Sequence, residues 1–227
     1  MSKKMLELFA GSCEVSSAAR LMGFEAFAVD IQPFPKVDLV KDIKKLNLGD
    51  VPFVPDVIWA SFDCTTYSIA AISKHRHKPD LSPKSDYAKK CDAVNVHCIS
   101  LINEWLEINP NMVFFIENPR GALRKMPFMK PFTRHTVWYC QYGDERAKPT
   151  DIWTNSTSWE PRPMCKNYKY DGAGNIINKH CHHASARRGA RTGTQGRKGS
   201  YERSKIPAQL INEILSSMKI AGGFRHE

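Results

Sequence analysis

The sequence predicts an α/β fold built on a mainly parallel sheet, with a small, loop-rich basic appendage. Three observations carry this. Short apolar runs alternate with longer amphipathic stretches from the start to about Trp153, the pattern of strands joined by crossover helices. After Asn155 the aliphatic residues thin out and Pro, Gly, Lys, Arg and His take over, so that stretch cannot bury a core of its own. An apolar stripe returns from Pro207 onward. At 227 residues and 42% hydrophobic composition, the chain suffices for one substantial core, since domains commonly run to about 50–250 residues. The expected organisation is a first domain over 1–155, the appendage over 156–201, and a C-terminal helix within 202–227 that packs back on the first domain.

The first strand is Met5–Phe9. Ser12 to Met22 then carries Val15, Ala18, Ala19 and Met22 at helical spacing, with Gly23 as its C-cap. A second strand covers Ala26–Asp30. Asp56–Ala60 is a buried strand that delivers Ser61-Phe62-Asp63-Cys64 to a loop, and Ser85 to Ile108 is a long helix with Ala93, Val94, Cys98, Leu101, Ile102 and Trp105 near one face. Met112–Ile116 is the next strand and ends in Glu117-Asn118-Pro119, at the edge where open α/β sheets place their ligands. Short strands are expected at Thr136–Cys140 and Asp151–Thr154, with a turn at Tyr142–Glu145 between them. Pro207 opens a last helix whose stripe is Leu210, Ile211, Ile214, Leu215 and Met218.

Nothing at Met1-Ser2-Lys3-Lys4 reads as a signal sequence and no apolar run approaches membrane-spanning length, so a soluble, intracellular protein without a membrane is expected. Seven cysteines at irregular spacings argue for free thiols rather than a disulfide framework. The formal charge of +10 is concentrated: eleven basic residues between Arg162 and Lys205 face only Asp171 and Glu202. Phosphate neutralisation makes nucleic acid the natural partner of such a segment. A basic loop kept for solubility is the bland alternative. Cys165, Cys181 and the neighbouring His180, His182 and His183 have zinc-ligand chemistry. Adjacent ligands in a row are poor tetrahedral geometry, so no metal is expected.

Three places carry chemistry. Phe9-Ala10-Gly11-Ser12-Cys13 joins a strand to a helix, and Asp30 ends the next strand roughly twenty residues later, where an acid can hydrogen-bond ribose hydroxyls. The Gly-x-Gly-x-x-Gly pyrophosphate fingerprint is absent, which favours a ligand without phosphates. Cys64 follows a strand in a polar loop, where a nucleophilic role is credible. Glu117 ends a strongly apolar strand, a setting that raises a carboxyl pKa toward neutrality and suits proton donation.

The ordered set Glu7-Leu8-Phe9-Ala10-Gly11, Asp30, Asp42-Ile43, Cys64-Thr65-Thr66-Tyr67-Ser68 and Glu117-Asn118-Pro119 resembles the cytosine carbon-5 DNA methyltransferase family. The chain looks especially like the compact phage-type members, through Lys148–Asn155, Thr192–Gly196 and Glu202–Pro207. The resemblance implies a Rossmann-like S-adenosylmethionine-dependent methyltransferase fold. It also implies transfer of methyl from S-adenosylmethionine to carbon 5 of a cytosine flipped from double-stranded DNA, by a monomer in the cytoplasm of a bacterium or phage-infected host cell. In that chemistry a Cys64 thiolate adds to carbon 6 and Glu117 pairs with the N3 edge, which makes carbon 5 nucleophilic. Asn118 would orient the site, and Lys148, with Arg146 nearby, stands where a base-supporting arginine is expected. Cofactor contacts would come from Phe9, Ala10, Gly11, Ser12, Cys13, Asp30, Ile31, Asp42, Ile43 and Ser61. DNA contacts would come from Thr65, Ser68, Arg191, Thr192, Gln195, Arg197 and Lys198.

The chain departs from the family pattern at Asp63, where proline usually precedes the nucleophile, and at Cys13 and Glu14, which replace glycines. A carboxylate beside a thiol disfavours thiolate unless a cation such as Arg146, Lys148 or His75 offsets it. Two rivals follow: an RNA cytosine methyltransferase with the same thiol chemistry, and a catalytically inactive nucleic-acid-binding protein of the same fold.

Overall fold

The strand Lys4–Leu8 (β1) is buried on both faces and needs cover on both, which sets the layering of the molecule. The computed structural model describes residues 2–165, 169–173, 176–178 and 200–220. After β1 come a helix Glu14–Leu21 (α1), Glu25–Asp30 (β2), Leu39–Val40 (β3), Val57–Ser61 (β4), one helical turn Ile72–His75 (α2) and the long helix Asp86–Ile108 (α3). Val113–Pro119 (β5), Thr133–Trp138 (β6) and Pro149–Thr154 (β7) follow, then Lys169–Tyr170 (β8), Ile176–Asn178 (β9), Ser200–Ser204 (α4) and Ala208–Ile220 (α5).

Seven strands form one sheet in the order β3-β2-β1-β4-β5-β7-β6. Neighbours are parallel except around β7, which runs against both β5 and β6. This order, with one antiparallel strand beside the edge, is the Rossmann-like methyltransferase fold that the resemblance implies. Strand alternation sorts the core into two layers. Leu6, Leu8, Ile58, Ala60, Phe114 and Ile116 face the apolar side of α3, where Val94, Cys98, Leu101, Ile102 and Trp105 pack, while Ala93, expected on that side, is exposed at the edge of the stripe. Met5, Val57, Trp59 and Phe115 face Val15 and Ala19 of α1 and Leu210, Ile211, Ile214 and Leu215 of α5. Trp59 and Phe115 stack with ring centroids 5.9 Å apart. Ser85 caps α3 by accepting from the Ala88 N–H at 3.1 Å.

Several boundaries differ from expectation for local reasons. α1 begins at Glu14 because Cys13 sits in the left-handed region at φ 55°. β5 continues through Glu117 and Asn118, since both pair with β7. The strand expected at Thr136–Cys140 ends at Trp138, and Tyr139–Tyr142 form a 3₁₀ turn that buries Tyr139 and Tyr142, three residues apart. The compositional break after Asn155 is not a break in packing. Trp159 is buried against Phe115, with centroids 6.2 Å apart, and the Arg162 Nε donates to Glu213 of α5 at 2.7 Å. Within the appendage β8 and β9 pair antiparallel where only loop was expected. Among the described residues no helix is long and apolar enough to cross a membrane.

Candidate active site

Parallel sheets gather ligands at the carboxyl ends of their strands, at the point where strand order reverses. Here that point lies between β1 and β4, and a cleft of about 620 Å³ opens there. Phe9, Ala10, Gly11 and Ser12 after β1 line it, as do Ser61 to Thr65 at the end of β4, Glu117 and Pro119 on β5, and Lys148 before β7. Ser204 and Ile206 close it from the far end of the chain. A second cavity of about 200 Å³ adjoins it, lined by Asp30, Ile31, Asp42 and Ile43 and by Tyr87, Lys90, Cys91, Val94 and Asn95 of α3. Phe9 and Asp63 line both.

The turn after β1 is tight. Phe9, Gly11 and Cys13 all have positive φ, at 56°, 49° and 55°, and the Cys13 N–H closes the turn on the Ala10 carbonyl at 2.7 Å. Left-handed backbone at two non-glycine residues costs roughly 1–2 kcal/mol each, strain of the kind that collects at ligand sites. Asp30 holds the turn: its Oδ2 accepts from the Gly11 N–H at 2.9 Å and its Oδ1 from Gln32 N–H at 2.8 Å. Beneath it, Glu7 accepts from the Ser16 N–H at 2.7 Å at the open start of α1. Burial pushes the Glu7 carboxyl up to about 7, against the lowering effect of its Ser16 hydrogen bonds. Cys13, expected among the cofactor contacts, lines neither cavity. Its side chain is fully buried behind the turn, packed in a cluster with Ala10 and Ala28.

The loop after β4 is anchored from four directions. Asn118 Nδ2 donates to the Phe62 carbonyl at 2.8 Å, while Asn118 Oδ1 is buried with no donor among the described residues. Asp63 Oδ1 accepts from the Thr65 N–H at 2.7 Å, and its Oδ2 accepts from the Tyr87 hydroxyl. The buried Arg76 donates through Nε to the Thr66 carbonyl at 3.0 Å and pairs with Asp92 at 2.7 Å, and the Tyr67 hydroxyl donates to the same Asp92 at 2.6 Å. Gly121 completes the anchorage, since a Cβ there would meet the Tyr67 carbonyl oxygen at 2.5 Å. Cys64 is left exposed on this fixed loop, facing the cleft. Crowding by protein atoms pushes its thiol up, the charges of Glu117 and Asp63 add to this, and Lys148 opposes it.

Glu117 is buried and accepts from the Tyr139 hydroxyl at 2.8 Å. Desolvation raises its pKa, while Lys148 and the Tyr139 hydrogen bond pull it down. Burial lowers the Lys148 pKa in turn, and Glu117 opposes that. Its ammonium lies 4.6 Å from the centroid of the Tyr139 ring. Cys64, Glu117 and Lys148 are therefore mutually within electrostatic reach on one cleft. Arg146 is not among the lining residues. Its guanidinium is buried in a pair with Asp144 at 2.5 Å and donates to the Lys205 carbonyl at 3.2 Å, which turns it toward the end of the chain.

Of the expected DNA contacts, Thr65 and Ser68 line the cleft. Arg191, Thr192, Gln195, Arg197 and Lys198 lie outside the described residues, as do His180, Cys181, His182 and His183. Among the described residues no three metal-ligating side chains gather. Sequence reasoning missed the Tyr87 partner of Asp63 and the Arg76–Asp92 pair. Both are side chains from α3 or its approach meeting the loop across 16 to 25 residues, a distance over which spacing carries no signal. Ser204 and Ile206 stand in the sequence only within the Glu202–Pro207 resemblance, which does not mark them as cleft wall.

No family model matches the chain, and no curated protein matches it. Among solved structures it is similar to a mutant DNMT2 from Spodoptera frugiperda, at 18% identity over 71% of this chain and 53% of that one, with a TM-score of 0.47. It is also similar to the Dnmt2 methyltransferase of S. pombe, at 13% identity over 71% of this chain and 52% of that one, with a TM-score of 0.45. A third likeness is to the glycopeptide N-methyltransferase MtfA, at 14% identity over 68% of this chain and 83% of that one, with a TM-score of 0.39. The chain spans about half the length of the two DNMT2 proteins it matches.

Proposed function

We propose that this chain is an S-adenosylmethionine-dependent cytosine-5 methyltransferase that acts, as a monomer, on a cytosine turned out of double-stranded DNA. The observation that carries the reading is the meeting of Cys64, Glu117 and Lys148 on one cleft beside the post-β1 turn. The cavities fit the cofactor by the chemistry of their linings. The smaller sets the carboxylates of Asp30 and Asp42, besides that of Asp63 at its mouth, near apolar Ile43, a set suited to ribose hydroxyls and an adenine ring. Each carboxylate oxygen of Asp30 takes one backbone N–H and keeps a further lone pair. The positive-φ turn offers a close backbone approach in place of a glycine-rich phosphate cradle, which suits a phosphate-free nucleoside. When bound, that cofactor supplies an electrophilic methyl group.

The chain's own residues would do the rest. Cys64, as thiolate, forms a bond to carbon 6 of the base. Glu117, held toward its protonated form by burial, donates to N3 and stabilises the charge that the addition places on the ring. After carbon 5 gains the methyl group it gives up its proton to solvent water, and the electron pair of that bond expels Cys64 as thiolate. Lys148 offsets the negative groups around the sulfur. The DNA assignment is supported by the basic segment between Arg162 and Lys205, whose charge suits phosphate contacts.

Bisulfite sequencing of DNA from cells expressing wild type or Cys64→Ser tests the proposal. New methylated cytosines are expected with the wild type alone. If neither methylated DNA nor a covalent adduct with fluorinated cytosine forms, the reading fails in favour of an inactive nucleic-acid-binding protein. Methylation of RNA in preference to DNA would overturn the substrate.

A further inference from the structure

Phe9 and Asp63 line both cavities and so form the neck between them. The Asp63 carboxylate is fixed there by the Thr65 N–H at 2.7 Å on one oxygen and the Tyr87 hydroxyl on the other, and both oxygens keep further lone pairs. The Phe9 ring is set by its edge contact with Phe62, at 5.4 Å between centroids. A carboxylate and an aromatic ring are two groups that attract a weakly hydrated cation. A donor with its nucleoside between Asp30 and Asp42 has to deliver a methyl group beside Cys64, so its sulfur must pass this neck.

The geometry points to Asp63 as the residue by which this site selects the charge of its methyl donor, a cationic sulfonium over the neutral thioether left after transfer. The inference rests on the proposed methyltransferase reading and deepens it. In the family that the chain resembles, proline usually stands at this position, so the contact is a property of this chain. Once methyl has left, the sulfur is uncharged and the attraction at the neck is lost, which favours exchange of product for fresh donor. The same carboxylate raises the Cys64 thiol, a cost that proline does not carry. Selective donor binding is the gain set against it.

Calorimetric titration of the purified full chain with S-adenosylmethionine, S-adenosylhomocysteine and sinefungin, whose amine takes the place of the sulfonium, tests this without reference to turnover. Asp63→Asn keeps an acceptor for Thr65 and removes the charge. It is expected to weaken S-adenosylmethionine and sinefungin by about fivefold, the scale of a partly exposed ion pair, and to leave S-adenosylhomocysteine unchanged. Asp63→Ser, which also keeps a turn-forming oxygen, carries the same test if the Asn variant does not fold. Equal weakening of all three ligands would reduce Asp63 to a scaffold residue, and no weakening would remove it from the neck; either result overturns the inference. A wild-type chain that binds neither adenosyl ligand overturns the methyltransferase reading itself, a failure distinct from these.

Discussion

Cys64 stands between one cation and two carboxyl groups. Crowding, Glu117 and Asp63 hold its proton on, and Lys148 pulls the other way. Removing the Lys148 charge therefore raises the thiol pKa further. In Lys148→Ala the pH dependence of iodoacetamide labelling at Cys64 is expected to move to higher pH, with Lys148→Arg staying near wild type. Movement to lower pH would mean that the ammonium does not act on the sulfur. At this scale the sequence was informative about types: a cysteine in a polar loop and a glutamate ending an apolar strand are visible as letters. It was silent on partners. Tyr139, which donates to Glu117, lies 22 residues away in a segment that read as strand, and Arg146 looked available until its pairing with Asp144 was seen.

At the scale of elements, the Cys64 loop owes its shape to α3 and to the one-turn helix α2. Arg76, just past α2, bridges the loop carbonyl of Thr66 to Asp92 on α3 with a side chain that is fully buried. Removing one member of a buried ion pair strands the other charge, so Arg76→Ala should lose about 3–5 kcal/mol in denaturant unfolding. Replacing Arg76 and Asp92 together by Met and Leu should lose less. A double variant as unstable as the single one would show that the pair's hydrogen bonds to Thr66 and Tyr67, rather than the stranded charge, dominate. Long periodic elements such as α3 and β4 were legible because burial on a stripe or on both faces leaves a repeating pattern. β3, β8 and β9 span two or three residues, too short for any period, and the 3₁₀ turn at Tyr139 carried an aromatic run that alternation alone could not distinguish from a strand.

For the molecule as a whole, α5 is the lid on one face of the sheet. Its Ile214 is fully buried among Leu210, Ile211 and Leu215, against the layer formed with Val15, Ala19 and Trp59. Truncating a packed isoleucine leaves a cavity, and Ile214→Ala should cost about 2–5 kcal/mol. The measurement is a urea or thermal melt, and a loss under about 1 kcal/mol would mean that the helix is not part of the cooperative unit. The overall layering followed from the sequence because apolar stripes at both extremes of the chain had nowhere else to go. The depth of integration of 156–165 did not, since isolated residues in a polar stretch, Trp159, Arg162 and Cys165, decide it.

The first strand and the last helix are also tied directly: Lys3 donates to the Met218 carbonyl, and Ser204 and Ile206 form a wall of the cleft whose opposite side is the turn at Phe9. A ribosome releases the turn at Phe9 long before the wall at Ser204 and Ile206. Until that later wall is made, the turn at Phe9 has no counterpart to close against, so ligand capture has to wait for Ser204 and Ile206 to emerge.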